Sequence, residues 1–521
     1  MAAKLALFLL FIAFCSLLPL PSLAVTANSS GTNMLCDQTP HPEACKYFMN
    51  HVPSEKSEFR KMAVQIAMER AVLGQTHAKG LGPKCRNERE KAAWNDCLSL
   101  YENAIIELNK TLETNRNSSF FDQQTWLSTA LTNLETCKAG FIELGVSDFI
   151  LPLMSNNVSK LISNSLSIKS NAASEKQRAT YEEGFPSWVS RNDRRKLLQA
   201  AASTTASANL VVAKDGSGNY DTVQAALSAA ANRKGTGRFI IYVKSGVYNE
   251  NLVIGKNLKN IMLVGDGLSS TIISGSRSVG GGYTTFNSAT VGVIGDGFIA
   301  RGITFRNTAG AQNHQAVALR SGSDLSVFYQ CGFEGYQDTL YAHSQRQFYQ
   351  ECNIYGTVDF IFGNAAAVFQ DCNIYVRKPM ASQENTVTAQ GRSDPNQNTG
   401  TVIQSSKIMA NSDLQPVVSS FNTFLGRPWG QYSRTIIMET YIDSLVNSAG
   451  WLEWDGNFAL STLFYGEYKN SGPGSSTSGR VKWGGYKVIT SATEAAEFSV
   501  DNFIAGQSWL PATGVPFTGS V

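Results

Sequence analysis

The sequence is poor in charge. Asp, Glu, Lys and Arg make up only 16% of its 521 residues, the net charge is +3, and no long basic or acidic run occurs. Nucleic-acid-binding proteins concentrate Lys and Arg into runs or patches, so nucleic acid is excluded as the main partner. The chain instead has 44 glycines and 10% aromatic residues, a composition typical of β structure with many turns.

Long apolar segments are also absent beyond the N-terminus. The N-terminal apolar run covers residues 5–18, which is shorter than the roughly 20 residues that a membrane-spanning helix needs. Lys4 precedes this run and Ser22, Leu23 and Ala24 follow it. This pattern predicts a secretory signal peptide cleaved after Ala24, with a signal anchor as the alternative. We therefore expect a secreted, extracellular protein without stable membrane insertion.

The cysteines divide into two odd groups. Of the nine present, Cys15 would leave with the signal peptide. Secretion favours disulfides, but an odd count leaves at least one thiol unpaired in each group. N-glycosylation sequons occur in the early part of the chain alone, at Asn28, Asn109, Asn117 and Asn157. The early group of cysteines is Cys36, Cys45, Cys85, Cys97 and Cys137, and the late group is Cys331, Cys352 and Cys372.

Residues 55–170 carry helical patterns, with apolar residues three and four positions apart. Four such segments predict an all-α four-helix bundle. Cys97 and Cys137 fall in the second and third segments, so a bridge between them could join two helices, and Cys36 and Cys45 could close a short loop. The segments are KMAVQIAMERAVL (61–73), KAAWNDCLSLYENAIIELN (91–109), TWLSTALTNLETCKAGFIELG (125–145) and VSKLISNSLSI (158–168).

A basic, then small and polar, stretch separates this helical half from the remainder of the chain. The sequence SRNDRRKLLQAAASTTASANL, residues 190–210, is typical of an exposed linker. Its cluster of Arg194, Arg195 and Lys196 is either a cleavage site for a secretory-pathway protease or an ordinary solvated linker. We divide the chain into a signal peptide (1–24), a helical region (25–189), a linker with a basic processing site (190–208) and a β domain (209–521).

A repeat appears in the β domain. The segments FYQCGFEG (328–335), YQECNIYG (349–356) and FQDCNIYV (369–376) share an aromatic residue, a polar pair and a cysteine. The nearly constant spacing of the three cysteines, a period of about 20 residues, predicts the rungs of a parallel β-helix, with a β-sandwich as the alternative. Equivalent positions on successive rungs stack about 4.8 Å apart. One adjacent pair of these cysteines could then bridge, leaving the third as a buried thiol.

The same count brings two carboxylates together. Asp338 and Asp359 each lie seven positions after a repeat cysteine, so they occupy one position on consecutive rungs, whereas the third cysteine leads to Pro379. Carboxylates one strand spacing apart cannot both ionise freely, which is the arrangement that acid–base chemistry uses. The alternative is that both are turn residues satisfied by backbone N–H groups.

These residues stand in segments that resemble the signature of plant pectin methylesterases. The segments are NHQAVALR (313–320), GYQDTLY (335–341), GTVDFIFGN (356–364) and LGRPWGQYSRT (425–435). The resemblance covers about residues 208–521. The helical half resembles the pectin methylesterase inhibitor domain found as a pro-region in such enzymes, and Arg195, Lys196, Leu197 and Leu198 resemble the site where that pro-region is removed.

The resemblance implies a right-handed parallel β-helix that hydrolyses the methyl esters of galacturonate units in pectin, giving methanol. No metal or organic cofactor is implied. The implied surroundings are the cell wall. The implied partners are methylated pectin, a processing protease of the secretory pathway and a proteinaceous pectin methylesterase inhibitor, with the protein itself a monomer. The helical half would inhibit or retain the enzyme until it is cleaved.

The resemblance also implies roles for single residues. Asp359 would be the nucleophile, and Asp338 the proton donor and later the general base. The side-chain amides of Gln337 and Gln315 would stabilise the oxyanion, and Arg427 would orient Asp359. Substrate contacts would come from Trp429 and Thr284, besides Gln315 and Arg427, and the groove could also include Tyr336, Phe286, Trp451 and Trp454. The implied disulfides are Cys331–Cys352, Cys36–Cys45 and Cys97–Cys137, which leave Cys372 and Cys85 free.

Three alternative functions remain open at this stage. A pectin depolymerase could share the fold, although an inverting hydrolase needs carboxylates about 6.5–9.5 Å apart. A Ser-His-Asp esterase would need a nucleophile motif, but the chain has no G-x-S-x-G, and beyond the linker it has His314 and His343 alone. In a non-enzymatic role, the helical half would inhibit other esterases and the β domain would be an inert scaffold.

Overall fold

A computed structural model describes residues 33–49, 53, 55–113, 118–150, 157–169 and 208–521. The predicted signal peptide, the sequons at Asn28 and Asn117, and the processing residues Arg195, Lys196, Leu197 and Leu198 lie outside these ranges. The sequons at Asn109 and Asn157 lie inside them, and both side chains are half-buried. Within the ranges, no helix is both long and apolar enough to cross a bilayer.

The N-terminal half forms the predicted bundle of four long helices, preceded by two short ones. Local signals set some of their starts. Asn87 caps the fourth helix by accepting a hydrogen bond from the Glu90 N–H, and Ser119 and Asp122 form a capping box at the fifth. The helices are α1 (Asn33–Asp37), α2 (Pro42–Phe48), α3 (Lys56–Leu81), α4 (Glu88–Leu112), α5 (Phe120–Glu143) and α6 (Val158–Ser167).

Two disulfides stabilise this half. Cys36 and Cys45 link α1 to α2 with their Cα atoms 5.5 Å apart, and Cys97 and Cys137 link α4 to α5 at 4.4 Å. Cys85 is a half-buried free thiol. The apolar face of each long helix faces the bundle core, which includes Leu100, Leu127 and Phe141.

Three parallel sheets form the β domain, and the chain passes from one to the next in each rung. The first sheet contains β1 (Leu210–Val212), β2 (Phe239–Val243), β5 (Ile261–Gly265), β8 (Ile299–Arg301), β11 (Ser326–Tyr329), β14 (Arg346–Gln350), β17 (Ala366–Gln370), β20 (Gly400–Gln404), β23 (Arg434–Met438), β25 (Phe464–Tyr468) and β26 (Tyr486–Val488).

The other two sheets are shorter. The second contains β3 (Gly246–Asn249), β6 (Thr271–Gly275), β9 (Thr304–Asn307), β12 (Gly332–Glu334), β15 (Asn353–Gly356), β18 (Asn373–Val376), β21 (Lys407–Ala410) and β24 (Tyr441–Ile442). The third contains β4 (Leu252–Ile254), β7 (Val291–Val293), β10 (Leu319–Ser321), β13 (Leu340–Ala342), β16 (Ile361–Gly363), β19 (Asn385–Gln390) and β22 (Thr423–Gly426).

The architecture is a right-handed parallel β-helix, as the repeat predicted, and the sandwich alternative is wrong. Equivalent residues stack in the interior: the rings of Phe328, Tyr349 and Phe369 lie 4.8 and 4.4 Å apart, centroid to centroid. Short helices cover two parts of this core. Helix α7 (Val223–Ala231) packs against the first rungs, whereas α8 (Ala492–Ala496) and α9 (Val500–Phe503) cover the outer face of the first sheet.

The predicted Cys331–Cys352 disulfide is not formed, and this prediction is corrected. Cys331, Cys352 and Cys372 stack on successive rungs as expected, but all three are buried free thiols. The stacking distance alone does not account for this, because equivalent positions about 4.8 Å apart lie within the range of Cα separations that disulfides use.

The helical half packs on the third sheet of the β-helix. Side chains from α4, α5 and α6 join residues of that sheet and of its neighbouring loops in one apolar cluster, which includes Phe141 and Leu161 together with Tyr341 and Phe362. A buried ion pair crosses the same contact, with the Arg346 guanidinium 2.7 Å from the Asp122 carboxylate. The sheet that carries the predicted aspartates is therefore covered by helices.

Candidate active site

Asp338 and Asp359 occupy equivalent positions on consecutive rungs. Strand β13 pairs with β16 so that Leu340 lies opposite Ile361, and the Asp338 N–H donates to the Val358 carbonyl at 3.0 Å. Both aspartates stand at the corner that leads into the third sheet, with φ values of 62° and 52°. Asp is one of the residue types that tolerate this left-handed region. The register that the spacing of the cysteines predicted for the two aspartates is confirmed.

The two carboxyl groups have different partners. The Asp359 carboxylate accepts two hydrogen bonds from Arg427, 2.8 Å from Nε and 2.6 Å from Nη2, and a third from the Thr386 hydroxyl at 2.6 Å. The Asp338 carboxyl has no hydrogen-bond partner within the described ranges, although both groups are buried. Neither carboxylate is satisfied by backbone N–H groups, which argues against the simple turn interpretation.

The electrostatic surroundings also differ. Burial, the negative charge of Asp359 and that of Glu143 raise the pKa of Asp338 well above its usual range, and the nearby positive charge of Arg427 opposes this. Burial lowers the pKa of Arg427, but its hydrogen bonds and charge attraction to Asp359 outweigh this and raise it. The raised pKa favours the protonated form of Asp338, while the carboxylate of Asp359 faces the Arg427 cation.

Other predicted residues lie around the pair. A cavity of about 290 Å³ contains both carboxyl groups and is also lined by Gln315, Gln337 and Arg427; we call it the catalytic cavity. Neither glutamine amide has a hydrogen-bond partner within the described residues, so both are available to a ligand. Aromatic side chains complete the β-helix side of this cavity, namely Phe286, Tyr341, Phe362, Trp429 and Trp454.

Arg427 and Trp429 come from the loop after β22, two strands beyond Asp359 in the third sheet. The guanidinium of Arg427 lies 4.5 Å from the centre of the Trp454 ring, a cation–π contact that helps to hold its plane. The ring of Trp429 packs edge-on against Phe362 at 6.0 Å. Both predicted residues of this loop therefore reach the site.

Three residues predicted to line the groove or to contact the substrate lie outside the catalytic cavity. Trp451 is buried in the β-helix core and stacks on Tyr465 at 4.2 Å. Tyr336 lies outside the cavity and stacks with Arg377. Thr284 is fully buried and donates its hydroxyl hydrogen to Asp96 of α4, so it contacts the helical half. Its role in substrate binding stays a prediction.

The helical half forms the other wall of the catalytic cavity. Asp96 of α4, together with Thr136, Ala139, Gly140 and Glu143 of α5, lines it opposite the carboxyl pair. The Glu143 carboxylate accepts a hydrogen bond of 3.0 Å from the Thr285 N–H. The Cys97–Cys137 bridge joins the two helices directly beside Asp96 and Thr136, so it fixes the part of the bundle that faces the site.

Residue-type patterns could have revealed this contact. Helix α5 carries hydroxyl groups on one face at positions 125, 128, 132 and 136, and each bonds across to the β-helix. Thr125 and Ser128 contact Asn398, Thr132 accepts a hydrogen bond from Asn364 at 2.9 Å, and Thr136 bonds the His343 ring at 2.9 Å. A buried polar stripe beside the apolar face of a helix indicates a second packing surface.

The Ser-His-Asp alternative finds no support in this arrangement. His343 is buried, and its two ring nitrogens bond Thr136 and Ser344. Burial and the charge of Arg320 lower the pKa of His343 to about 3. His314 is exposed, and its ring makes no hydrogen bond or ion pair with any described residue.

The pectinesterase family model matches residues 209–507, and the plant invertase/pectin methylesterase inhibitor model matches residues 32–168. The chain belongs to the pectinesterase family. Similar relatives span nearly the whole chain. A probable pectinesterase/pectinesterase inhibitor 17 of Arabidopsis thaliana is 61% identical over 95% of both chains. Pectinesterase 2 of Citrus sinensis is 60% identical over 93% of this chain and 94% of its own length.

A solved structure supports the fold of the catalytic half. A pectin methylesterase from carrot is 61% identical and superimposes with a TM-score of 0.59, covering 60% of this chain and 98% of its own. This pectinesterase therefore combines an enzyme of the family with an inhibitor-like N-terminal half. The depolymerase and inert-scaffold alternatives are not supported.

Proposed function

We propose that the chain removes methyl esters from the galacturonate units of pectin through a covalent aspartyl intermediate, giving methanol and acidic pectin. The observation that supports this best is the unequal carboxyl pair. Asp359 is held by Arg427 and Thr386, whereas Asp338, one rung away, is buried without a hydrogen-bond partner among the described residues and has a raised pKa. Pairs whose environments separate their protonation states supply one nucleophile or base and one acid.

The proposed reaction has two halves. A carboxylate oxygen of Asp359 attacks the ester carbonyl, the C–O bond to the methoxy group breaks, and Asp338 gives its proton to the leaving methanol. Asp338, now ionised, takes a proton from water, whose oxygen attacks the resulting anhydride. This step releases Asp359 and leaves a free uronate. The amides of Gln315 and Gln337 donate hydrogen bonds to the oxyanion in both halves.

Methanol release measured together with chain length tests this reaction class. Methylated pectin should yield one methanol for each new carboxylate while the length of the polymer stays constant. Shortened chains without methanol would contradict the proposal.

Arg427→Gln should lower activity and move the alkaline limit of activity to higher pH. The positive charge of Arg427 lowers the pKa of Asp338, so its removal raises that pKa further and keeps the proton to higher pH. The maximal rate should fall by about tenfold or more, because Asp359 loses two hydrogen bonds. Arg301→Gln is the matched control, since Arg301 also stacks on an aromatic ring, that of Tyr329, away from the site. An unchanged pH profile in Arg427→Gln would remove Arg427 from this role.

The proposal extends to the whole chain. The protein is secreted after removal of residues 1–24, and the helical half inhibits the enzyme until the linker is cut near Arg195–Leu198. This is supported by the position of α4 and α5, which occupy the side of the catalytic cavity where a polysaccharide would lie along the third sheet.

Docking of the helical half should weaken as the pH rises from about 4 to about 7. Burial raises the pKa of Asp96 from 3.8 to about 6 and that of Glu135 from 4.5 to about 7. Both carboxyl groups accept hydrogen bonds from the β-helix, Asp96 from Thr284 and Glu135 from Ser393. A carboxyl group whose pKa is raised by docking binds more protons in the docked state. Such a group contributes its full share of the docking free energy below its ordinary pKa. That share is lost as the pH rises through the pKa of the docked state.

Native mass spectrometry of the cut chain at several pH values measures this dissociation. The two halves should stay together at pH 4 and separate increasingly towards pH 7, and Glu135→Gln should reduce the difference. Association that does not change with pH would contradict the prediction.

A further inference from the structure

A second cavity lies between the two halves of the chain, beside the catalytic one. It has a volume of about 270 Å³, and we call it the interface cavity. Asn103, Glu107 and Lys110 of α4 line one side. Lys256, which follows β4, and Arg320 of β10 line the other. Both halves are needed to enclose it.

Four of the charged groups around the interface cavity neutralise one another. The Lys110 ammonium lies 3.0 Å from the Glu107 carboxylate and 3.2 Å from that of Asp296, and Lys259 lies 3.8 Å from Asp296. These two cations and two anions form one network, in which one carboxyl oxygen of Glu107 has no hydrogen-bond partner within the described ranges. The charge balance of the cavity therefore depends on its remaining charged residues.

Neither Lys256 nor Arg320 forms an ion pair at contact distance with a carboxylate of the described residues. More distant carboxylates do act on them, Glu107 and Asp296 on Lys256, and Asp96 on Arg320. The Lys256 amine is buried and has no hydrogen-bond partner, and its burial lowers the pKa to about 8. Arg320 is 5% exposed; its Nε donates to the Phe286 carbonyl, and the guanidinium lies 3.5 Å from the centre of the Phe286 ring. Buried charges are normally paired, because leaving them unpaired is costly. Two cations that line one cavity without a carboxylate in contact favour an anionic ligand.

The other side chains that line the interface cavity indicate the chemistry of the remainder of that ligand. Side-chain amides of Asn103, Asn133 and Asn257 line the cavity and can bond hydroxyl groups. Glu107 is 4% exposed, and one of its carboxyl oxygens is buried without a partner. Apolar contact is available from Ile106, Phe286 and Ile294. The lining thus combines cations, amides and apolar surface in a space that suits one sugar ring rather than a polymer.

We propose that the interface cavity binds a single uronic-acid residue, with its carboxylate bound by Lys256 and Arg320. The choice of a uronate rests on the proposed function, since de-esterification of pectin yields free galacturonate carboxylates. Because α4 forms one wall, a ligand bound there stabilises the docked state of the helical half by mass action. The acidic product would then favour the inhibited form of the uncut chain.

Calorimetric titration of the uncut chain carrying Asp359→Asn tests the proposal without turnover. Galacturonic acid should bind with one site per chain, whereas galactose, which has the same ring without the carboxylate, should not.

Lys256→Gln should weaken binding by about tenfold or more, since it removes a charged hydrogen-bond donor. Lys407→Gln, at an exposed position of β21, should leave binding unchanged. Asn103→Ala should weaken binding as well, because this residue lies on the helical side.

Absence of galacturonate binding, or binding that is indifferent to Lys256→Gln, would overturn the proposal. Inorganic phosphate that binds as tightly as galacturonate would overturn the assignment to a uronate. Methanol release by the cut chain is measured separately, so a failure of the proposed enzymatic function is distinguishable from a failure of this site.

Discussion

Asp359→Asn should reduce methanol release from methylated pectin by about 10³-fold or more while leaving the fold intact. The substitution replaces the attacking carboxylate oxygen with an amide, which is a much weaker nucleophile. The backbone should tolerate it, because Asn adopts the left-handed region as readily as Asp does, and φ at this position is 52°. The asparagine oxygen can still accept hydrogen bonds from Thr386 and Arg427.

Asp371→Asn provides the matched control for this prediction. Asp371 also has a positive φ, 55°, at a corner of the β-helix, and its carboxylate accepts a hydrogen bond from Gln350 at 2.9 Å. It lies outside the catalytic cavity, so activity should stay within about twofold of that of the unchanged protein. Activity of Asp359→Asn within tenfold of the unchanged protein, with a normal circular dichroism spectrum, would remove Asp359 from its proposed role.

The uncut chain should release methanol at least about tenfold more slowly than the chain cut in the linker with the helical half removed. Helices α4 and α5 lie against the carboxyl pair, and the contact of the helical half with the β-helix includes the buried Asp122–Arg346 ion pair. We expect the docked helices to keep an extended polysaccharide away from Asp359, because they form one wall of the catalytic cavity. The measurement compares initial rates at equal protein concentration.

A substitution in the contact tests the same claim without proteolysis. A Cβ atom on Gly140 would lie 3.3 Å from a methyl group of Thr284, so Gly140→Leu should push α5 away from the cavity and activate the uncut chain. Gly80→Leu is the control, because nothing lies within 4 Å of a Cβ atom there. Equal rates for the cut and uncut chains would show that the helical half is not an inhibitor of its own enzyme.

The sequence was sufficient to place the two aspartates because the rungs that carry them have nearly constant length. The separation of Cys331 from Cys352 equals that of Asp338 from Asp359, and the pairing of Leu340 with Ile361 has the same offset. The interior side chains of a parallel β-helix must lie in register, so such spacing is a strong constraint. It also predicted the stacking of the three cysteines.

The count of seven residues from a repeat cysteine failed on the next rung, because that rung is longer. The next rung carries a loop between β18 and β19, so the residue opposite Asp359 is Thr386, which stands beyond that loop. The count of seven from Cys372 instead gave Pro379. The Thr386 hydroxyl that bonds Asp359 was therefore missed, and Arg427 was placed by family resemblance alone. Loop lengths follow from no periodic rule, so no pattern in this single sequence predicts such partners.

The spacing of apolar residues also did not predict that the helical half docks on the β-helix. Apolar spacing predicted each long helix, because the bundle core is apolar, but the contact with the β-helix combines an apolar cluster with a set of hydroxyl and amide groups on α5. Isolated polar residues on a helix usually face solvent. Only the regular spacing of hydroxyl groups along α5 distinguishes this face from a solvated one.

Partitioning of a common intermediate tests the central claim most directly. Methyl and ethyl esters of the same oligogalacturonide are hydrolysed in the presence of a fixed concentration of hydroxylamine, and the ratio of hydroxamate to free acid is measured. If Asp359 forms an acyl-enzyme, both esters pass through the same species, and the ratio should be identical for the two. A ratio that depends on which alcohol leaves would contradict the covalent mechanism.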